Sequence, residues 1–369
     1  MTRLAFELLG NKPLVPVRVD GRGPYAFLVD NGSSYDVVDT DVAGELGLSV
    51  TPSEEQRGAG EGAIESGTVE RVVLQLDRTE LPAARVVVMP LNDAIGAGGG
   101  RRVDGLLGYP FFARHAVELC YDGAELEVHE RAPAGWTGAR IPIEIDHEHA
   151  LAAATLELHD GRRITGRFML DTAFRSAVML TRPFAEEHGV ADSFPRALAA
   201  TTGWGIGGPM RDVVGRAGAL ELGTLRFDDP IVACSTARSG VLSEASFAGI
   251  LGGELLRRCH TLIDYRRGEV VLEPSSAWSE PHEFDQSGLY LIAAGDDFDR
   301  FVVHDLIPGS PAANAGVEAG DSLLEIAGRR AGSLELEELR SLLRAAPGTT
   351  YLLRFRRAGE VRLTLRRLV

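Results

Sequence analysis

The segments FLVDNGSS, residues 27–34, and FMLDTAFR, residues 168–175, decide how this chain folds. Each is an apolar run ending in an aspartate, Asp30 in one and Asp171 in the other, followed by a short turn. The likeness extends outward from both. Val17–Leu48 and Leu156–Val190 each read as an apolar strand, an Asp-Gly turn, a second strand, the aspartate, a third strand and a helix. Further on, VDGLLGYPFF from Val103 answers FAGILGGELL from Phe247. Gly105 then matches Gly249, Gly108 matches Gly252 and Tyr121 matches Tyr265, at nearly equal spacing from the two aspartates. Ordered matches at near-constant spacing mark two copies of one β-rich lobe.

Composition bounds what the lobes can do. The chain has 369 residues and a formal net charge of −15, with a pI near 5.1. That excludes a phosphate-neutralising nucleic-acid binder, and no apolar run is long enough for a membrane span. Arginine supplies nearly all the positive charge, Lys12 being the only lysine. Cys120, Cys234 and Cys259 are too few and too scattered for a disulfide framework and read as reduced thiols. The first residues carry no continuous apolar signal segment, so the expectation is a cytoplasmic protein, with a periplasmic or secreted one as the alternative if an upstream segment is missing. With both lobes in one chain, a monomer is expected.

Pro133 and the glycines of Ala132–Gly138 mark a connection between lobes, and the polar stretch Trp278–Gln286 marks a second boundary. The chain divides into residues 1–132, 133–278 and 279–369. The last unit alternates strands with a short helix after Ser310-Pro311 and a longer one over Leu334–Ala345, an α+β pattern.

Two aspartates at equivalent places of a pseudo-two-fold repeat face one axis. Carboxylates brought together cannot both ionise cheaply, so the pair is expected to share a proton; one acting as base toward water while the other donates to a carbonyl is what a resemblance to aspartic proteases implies. The residues here resemble the bacterial retropepsin-like aspartic peptidases in single-chain, two-lobe form, followed by a PDZ domain. The hallmark apolar-apolar-Asp-Thr/Ser-Gly, paired with apolar-apolar-Gly, reads LVDNG with GLLG, and MLDTA with GILG. The resemblance implies two β-barrel lobes related by a pseudo-two-fold axis, with Asp30 and Asp171 catalytic and Asn31, Gly32, Ser33, Thr172 and Ala173 supporting them. It implies an aspartic endopeptidase acting on a peptide or protein substrate, with activity peaking on the acidic side and no metal or other cofactor. Two departures weigh on activity. Asn31 stands where the family has Thr or Ser, and Ala173 where it has Gly; both are expected to weaken the bonds holding the carboxylates coplanar. A catalytically impaired, peptide-binding scaffold is the alternative.

The glycine-rich segments RGAGEGAIESG and TTGWGIGG fall where this architecture has flaps, so Gly58, Gly60, Gly203, Trp204 and Gly205 are expected to close over substrate. Gly203, Gly205 and Gly208 satisfy G-x-G-x-x-G, but Pro209 follows and no helix does, which argues against a nucleotide. The tract Gly96–Gly100 reads as a loose loop, and Asp146–His149 as a solvated turn, not a metal site. PGSPAANAGVEAGDSLLEIAGR from Pro308 is similar to bacterial PDZ domains. That similarity implies that Gly288, Leu289, Tyr290 and Leu291 receive a ligand's C-terminus as an added strand.

Overall fold

A computed structural model describes residues 1–369, residues 82 and 84 by their backbone alone. The repeat becomes a repeat of topology. In the first lobe Arg22–Val29, ending at the first aspartate, runs parallel to Gly105–Leu107, with Phe27 beside Gly105 and Val29 beside Leu107. In the second, Arg163–Asp171 runs parallel to Gly249–Gly252, with Phe168 beside Gly249. On the far side of each short strand lies an antiparallel neighbour, Val37–Asp39 or Val178–Leu180. Those are followed by parallel Thr79–Met89 and Ile231–Ser235. The sheets are mainly antiparallel, but the strands at the two aspartates are buried on both sides, which is why they read as unbroken apolar runs.

Gly108 and Gly252 let the chain pass close to the aspartate turns. A Cβ at Gly252 would lie 2.5 Å from the Phe174 carbonyl oxygen, and one at Gly108 would overlap that of Tyr35. The next amides then reach equivalent carbonyls: Tyr109 N–H donates to Ser33 at 2.8 Å and Gly253 N–H to Phe174 at 2.6 Å. Short helices follow, Tyr109–Arg114 and Gly253–Leu256.

Six strands join the lobes beneath the aspartates. Thr2–Ala5, Glu125–His129 and Ala116–Cys120 come from the first; Cys259–Asp264, Glu269–Pro274 and Ala139–Asp146 come from the second. The seam is the pairing of Val117 with Ile263. One continuous core runs through both lobes, from Val17 and Phe27 to Phe168 and Leu251.

The third unit has its own core around Leu291, Phe301, Leu339 and Phe355. Its sheet begins with the edge strand Leu289–Ala294, followed by Arg300–Leu306. Leu336, Leu339 and Leu343 form the buried face of its helix Leu336–Leu343, shorter than the run Leu334–Ala345 read from the sequence because Leu334 and Glu335 are extended and Arg344 caps the other end.

One expectation is overturned. Residues 92–99 are helical, and the glycine tract is a tightly packed knuckle instead of a loose loop. A Cβ at Gly98 would lie 2.5 Å from the Trp204 Cβ, and one at Gly100 2.5 Å from the Leu336 Cβ. The glycines are needed because backbone meets side chains of both the second lobe and the third unit.

Candidate active site

Asp30 and Asp171 line one cleft between the lobes. Each carboxylate accepts an amide from its own turn: Gly32 N–H reaches Asp30 Oδ1 at 3.0 Å, and Ala173 N–H reaches Asp171 Oδ1 at 2.8 Å. The turns interlock. A Cβ at Gly32 would overlap the Asp171 carboxylate, so the first turn lies directly against the second aspartate. Ala173 occupies the equivalent place without positive φ, so its methyl group is accommodated.

Beneath the aspartates Asn31 and Thr172, both fully buried, reach across to the opposite lobe. Asn31 Nδ2 donates to the Leu170 carbonyl at 2.9 Å, and Thr172 Oγ1 donates to the Val29 carbonyl at 2.6 Å. Leu170 and Val29 each precede an aspartate, so the exchange is reciprocal. The carboxamide also accepts: Thr172 N–H lies 2.8 Å from Asn31 Oδ1. The expectation that Asn31 weakens this lattice is therefore corrected. A carboxamide both donates and accepts, and here both functions are used. Tyr265 adds a hydroxyl bond to the Asn31 carbonyl at 3.3 Å, whereas its counterpart Tyr121 has no partner for its buried hydroxyl among the described residues.

Burial, followed by the neighbouring charge of Asp171, pushes the Asp30 carboxyl well above the ordinary carboxylate range. Burial also raises Asp171, against the pull of the Ala173 amide and of His149. The pair holds a proton where separate aspartates would not.

The flap segments meet over the cleft. Gly60 N–H donates to the Ile206 carbonyl and Gly62 N–H to the Gly207 carbonyl, both at 2.9 Å. Gly58, Gly203, Trp204 and Gly205 line the cleft; Gly60 is spent on the contact between tips. Gly203 and Gly205 belong to the hairpin Leu198–Gly205 and Gly208–Arg216. Ser33 also lines the cleft, its hydroxyl turned to the Tyr35 carbonyl at 2.8 Å.

Among the cleft residues that escaped the sequence reading are Lys12, His149, Arg175 and Arg340. His149, set aside with the solvated turn, opens the strand His149–Glu157 and lies close enough to Asp171 to lower it. Lys12 is pulled down to about 8 by burial and by Arg175 and Arg340. Arg175, four residues beyond Asp171, reaches the third unit, where its Nη2 lies 2.9 Å from Glu337 Oε2. Burial would raise Glu337, but Arg175, Arg344 and Arg340 together hold it down at about 2.

Of the proposed ligand loop, Gly288, Leu289, Tyr290 and Leu291 line a second cavity against the second lobe. The amides of Ser287 and Gly288 donate to the side chain of Asp285 within the same loop. Among the described residues one group of metal-ligating side chains clusters elsewhere, Glu118, Glu127 and His129. His129 Nε2 lies 3.4 Å from Glu118 and 3.5 Å from Glu127, and the Arg3 guanidinium already stands 3.3 Å from Glu127. Among the described residues no helix is long and apolar enough to cross a membrane.

Residues 15–111 match the family model of aspartyl proteases, and residues 302–357 match that of PDZ domains. No curated protein matches the chain. The crystal structure of aspartic proteinase from Irpex lacteus is similar at a TM-score of 0.46 and 13% identity, over 76% of this chain and 98% of that one.

Proposed function

We propose that this chain, an aspartyl-protease-like pair of lobes joined to a PDZ domain, is an aspartic endopeptidase whose working groups are Asp30 and Asp171. The observation that carries the reading is the reciprocal lattice under the two carboxylates. Asn31 to Leu170 and Thr172 to Val29 fix both turns from opposite sides.

With one proton on the pair, the ionised carboxylate removes a proton from a water held between them, and the other donates its proton to the scissile carbonyl oxygen. The water oxygen bonds to the carbonyl carbon and gives a neutral tetrahedral diol. Collapse breaks the C–N bond as the protonated carboxyl gives its proton to the departing nitrogen and the ionised carboxylate takes one from a diol hydroxyl, leaving an acid, an amine and the singly protonated pair. The closed flaps exclude bulk water, and opening for substrate breaks the two bonds between their tips. The PDZ domain contributes a site for a peptide or protein C-terminus. The test is cleavage of an unbiased peptide mixture by the parent, Asp30→Asn and Asp171→Asn. Cleavage by the parent alone is expected, and equal cleavage by either variant would place the chemistry elsewhere.

A further inference from the structure

The third unit is docked with its peptide-binding side turned inward. The cavity beside Leu289–Leu291 and the catalytic cleft share walls: Arg175, Ser176, Thr202, Tyr290 and Arg340 line both. The docking is held from two directions. Arg175 of the second aspartate turn pairs with Glu337 on the PDZ helix, and Thr201 Oγ1 of the second flap strand donates to Asp305 Oδ2 at 2.6 Å. A chain entering the groove is therefore already beside the cleft.

The junction is cationic in a protein of net charge −15. Arg340 donates through Nη2 to the Leu291 carbonyl at 3.1 Å, and its guanidinium lies 5.9 Å from the Tyr290 ring centre. It is a full 3.9 Å from Glu337, whose nearer partners are Arg175 and Arg344. Arg340 thus retains donors for a further acceptor. Lys12 lines the cleft with no ion pair among the described residues, close enough to feel Asp30 and Asp171 on one side and Arg175 and Arg340 on the other. Burial first, and then Arg175 and Arg340, lower Lys12 against the pull of Asp30 and Asp171. Past the junction the shared cavity turns apolar, with Val178, Val214, Phe284, Leu289 and Ile307 on its walls. Meanwhile the loop amides that could hold a carboxylate are directed to Asp285.

We propose, building on the peptidase reading, that the substrate is a polypeptide with a free C-terminus, whose terminal carboxylate meets Lys12 and Arg340. Its last, apolar side chain enters the slot between the PDZ strand and the second lobe. The bond hydrolysed then lies a few residues before the end. The groove and the cleft hold one chain, and the PDZ ligand is the substrate itself.

The test uses N-acetylated peptides ending in leucine or in aspartate, each made as the free acid and as the amide, with products mapped by mass spectrometry. Free acids ending in leucine should be cleaved with kcat/KM about ten- to a hundred-fold above their amides, the effect of one or two charged hydrogen bonds. Cuts should fall at a fixed short distance from the C-terminus whatever the peptide length. Lys12→Met and Arg340→Met should bring the acid-to-amide ratio close to one, while Lys12→Arg keeps it. Equal rates for acid and amide, or cuts at scattered distances from the end, overturn the proposal. Binding separates its failure from that of the peptidase reading. Asp171→Asn, titrated calorimetrically with the same pairs, should bind the leucine acid more tightly than its amide. Equal binding overturns carboxylate reading even if the chain cleaves nothing, and a preference without any cleavage by the parent removes only the catalytic reading.

Discussion

Arg175 and Glu337 form an ion pair that ties the turn after the second aspartate to the helix of the PDZ domain, with Nη2 and Oε2 2.9 Å apart. A carboxylate held by arginines from two domains makes the placement of one depend on the other. Removing its charge, as in Glu337→Gln, leaves Arg175 and Arg344 without their anion and should cost about 1–3 kcal/mol. Because Glu337 sits at about 2 in the folded protein, its contribution is full above the ordinary glutamate range near 4 and is lost as pH falls toward 2. Urea unfolding of parent and variant should therefore differ most at neutral pH and converge in acid.

The buried carboxamide gives a second expectation. Asn31→Ala strands the Leu170 carbonyl and the Thr172 amide without their partner. Stability should fall by about 1–3 kcal/mol, the cost of buried groups left unpaired. Asn31→Thr cannot both donate to Leu170 and accept from Thr172 with the same reach, so turnover should not rise above the parent's. A faster Asn31→Thr enzyme would show that the lattice is not what limits it.

The two turns should also respond unequally to a methyl group. Gly32→Ala drives a Cβ into the Asp171 carboxylate and should abolish cleavage while the protein still unfolds cooperatively. Ala173→Gly removes a group the structure accommodates, and kcat/KM should stay within a few-fold of the parent's.

Activity against pH should form a bell, since the pair works only with one proton. Burial and mutual repulsion raise Asp30, so the alkaline limb, where that proton is lost, lies above the ordinary aspartate value near 4 and reaches toward neutrality. Lys12 pulls both aspartates down. In Lys12→Met the alkaline limb should move to higher pH. A limb that stays in place would separate Lys12 electrostatically from the pair.

Asp212 in the second flap strand offers a test by stability. It is pushed up to about 7 by burial, against the Thr202 hydroxyl, and its Oδ1 has no partner among the described residues. The folded state then holds a proton that the unfolded chain releases near 4, so stability declines as pH rises from about 4 to about 7. Asp212→Asn removes that decline. Its thermal midpoint should pull ahead of the parent's across the same interval and keep a constant lead above it.

The aspartates and their glycines were legible because the repeat states them twice, and apolar strands ending in a charge are costly without a purpose. The cations of the cleft were not. Lys12 opens a strand of the first lobe, Arg175 belongs to a turn of the second and Arg340 to a helix of the third unit; only packing brings them together. His149 was hidden by its neighbours, since Asp146 and His147 form the exposed end of the hairpin while the next strand carries His149 inward. The tract Gly96–Gly100 misled for a related reason. Glycine signals mobility when nothing surrounds it and close approach when something does, and a sequence does not say which.

The sheet shared by the lobes has a consequence for how the molecule is made. Ala116–Cys120 has its second neighbour only when Cys259–Asp264 has been synthesised, and Ala139–Asp146 needs Glu269–Pro274. A nascent chain that ends between the lobes carries one aspartate and an unpaired strand edge. The complete pair comes into being late, when the ribosome has delivered most of the polypeptide. Such long-range pairing slows folding and leaves the edge open to other chains meanwhile. If the chemistry rests on both aspartates as proposed, an unfinished copy does not cut its neighbours, but it can stick to them. Chaperone occupancy on ribosome-bound chains should rise after residue 120 and fall once residue 274 has emerged.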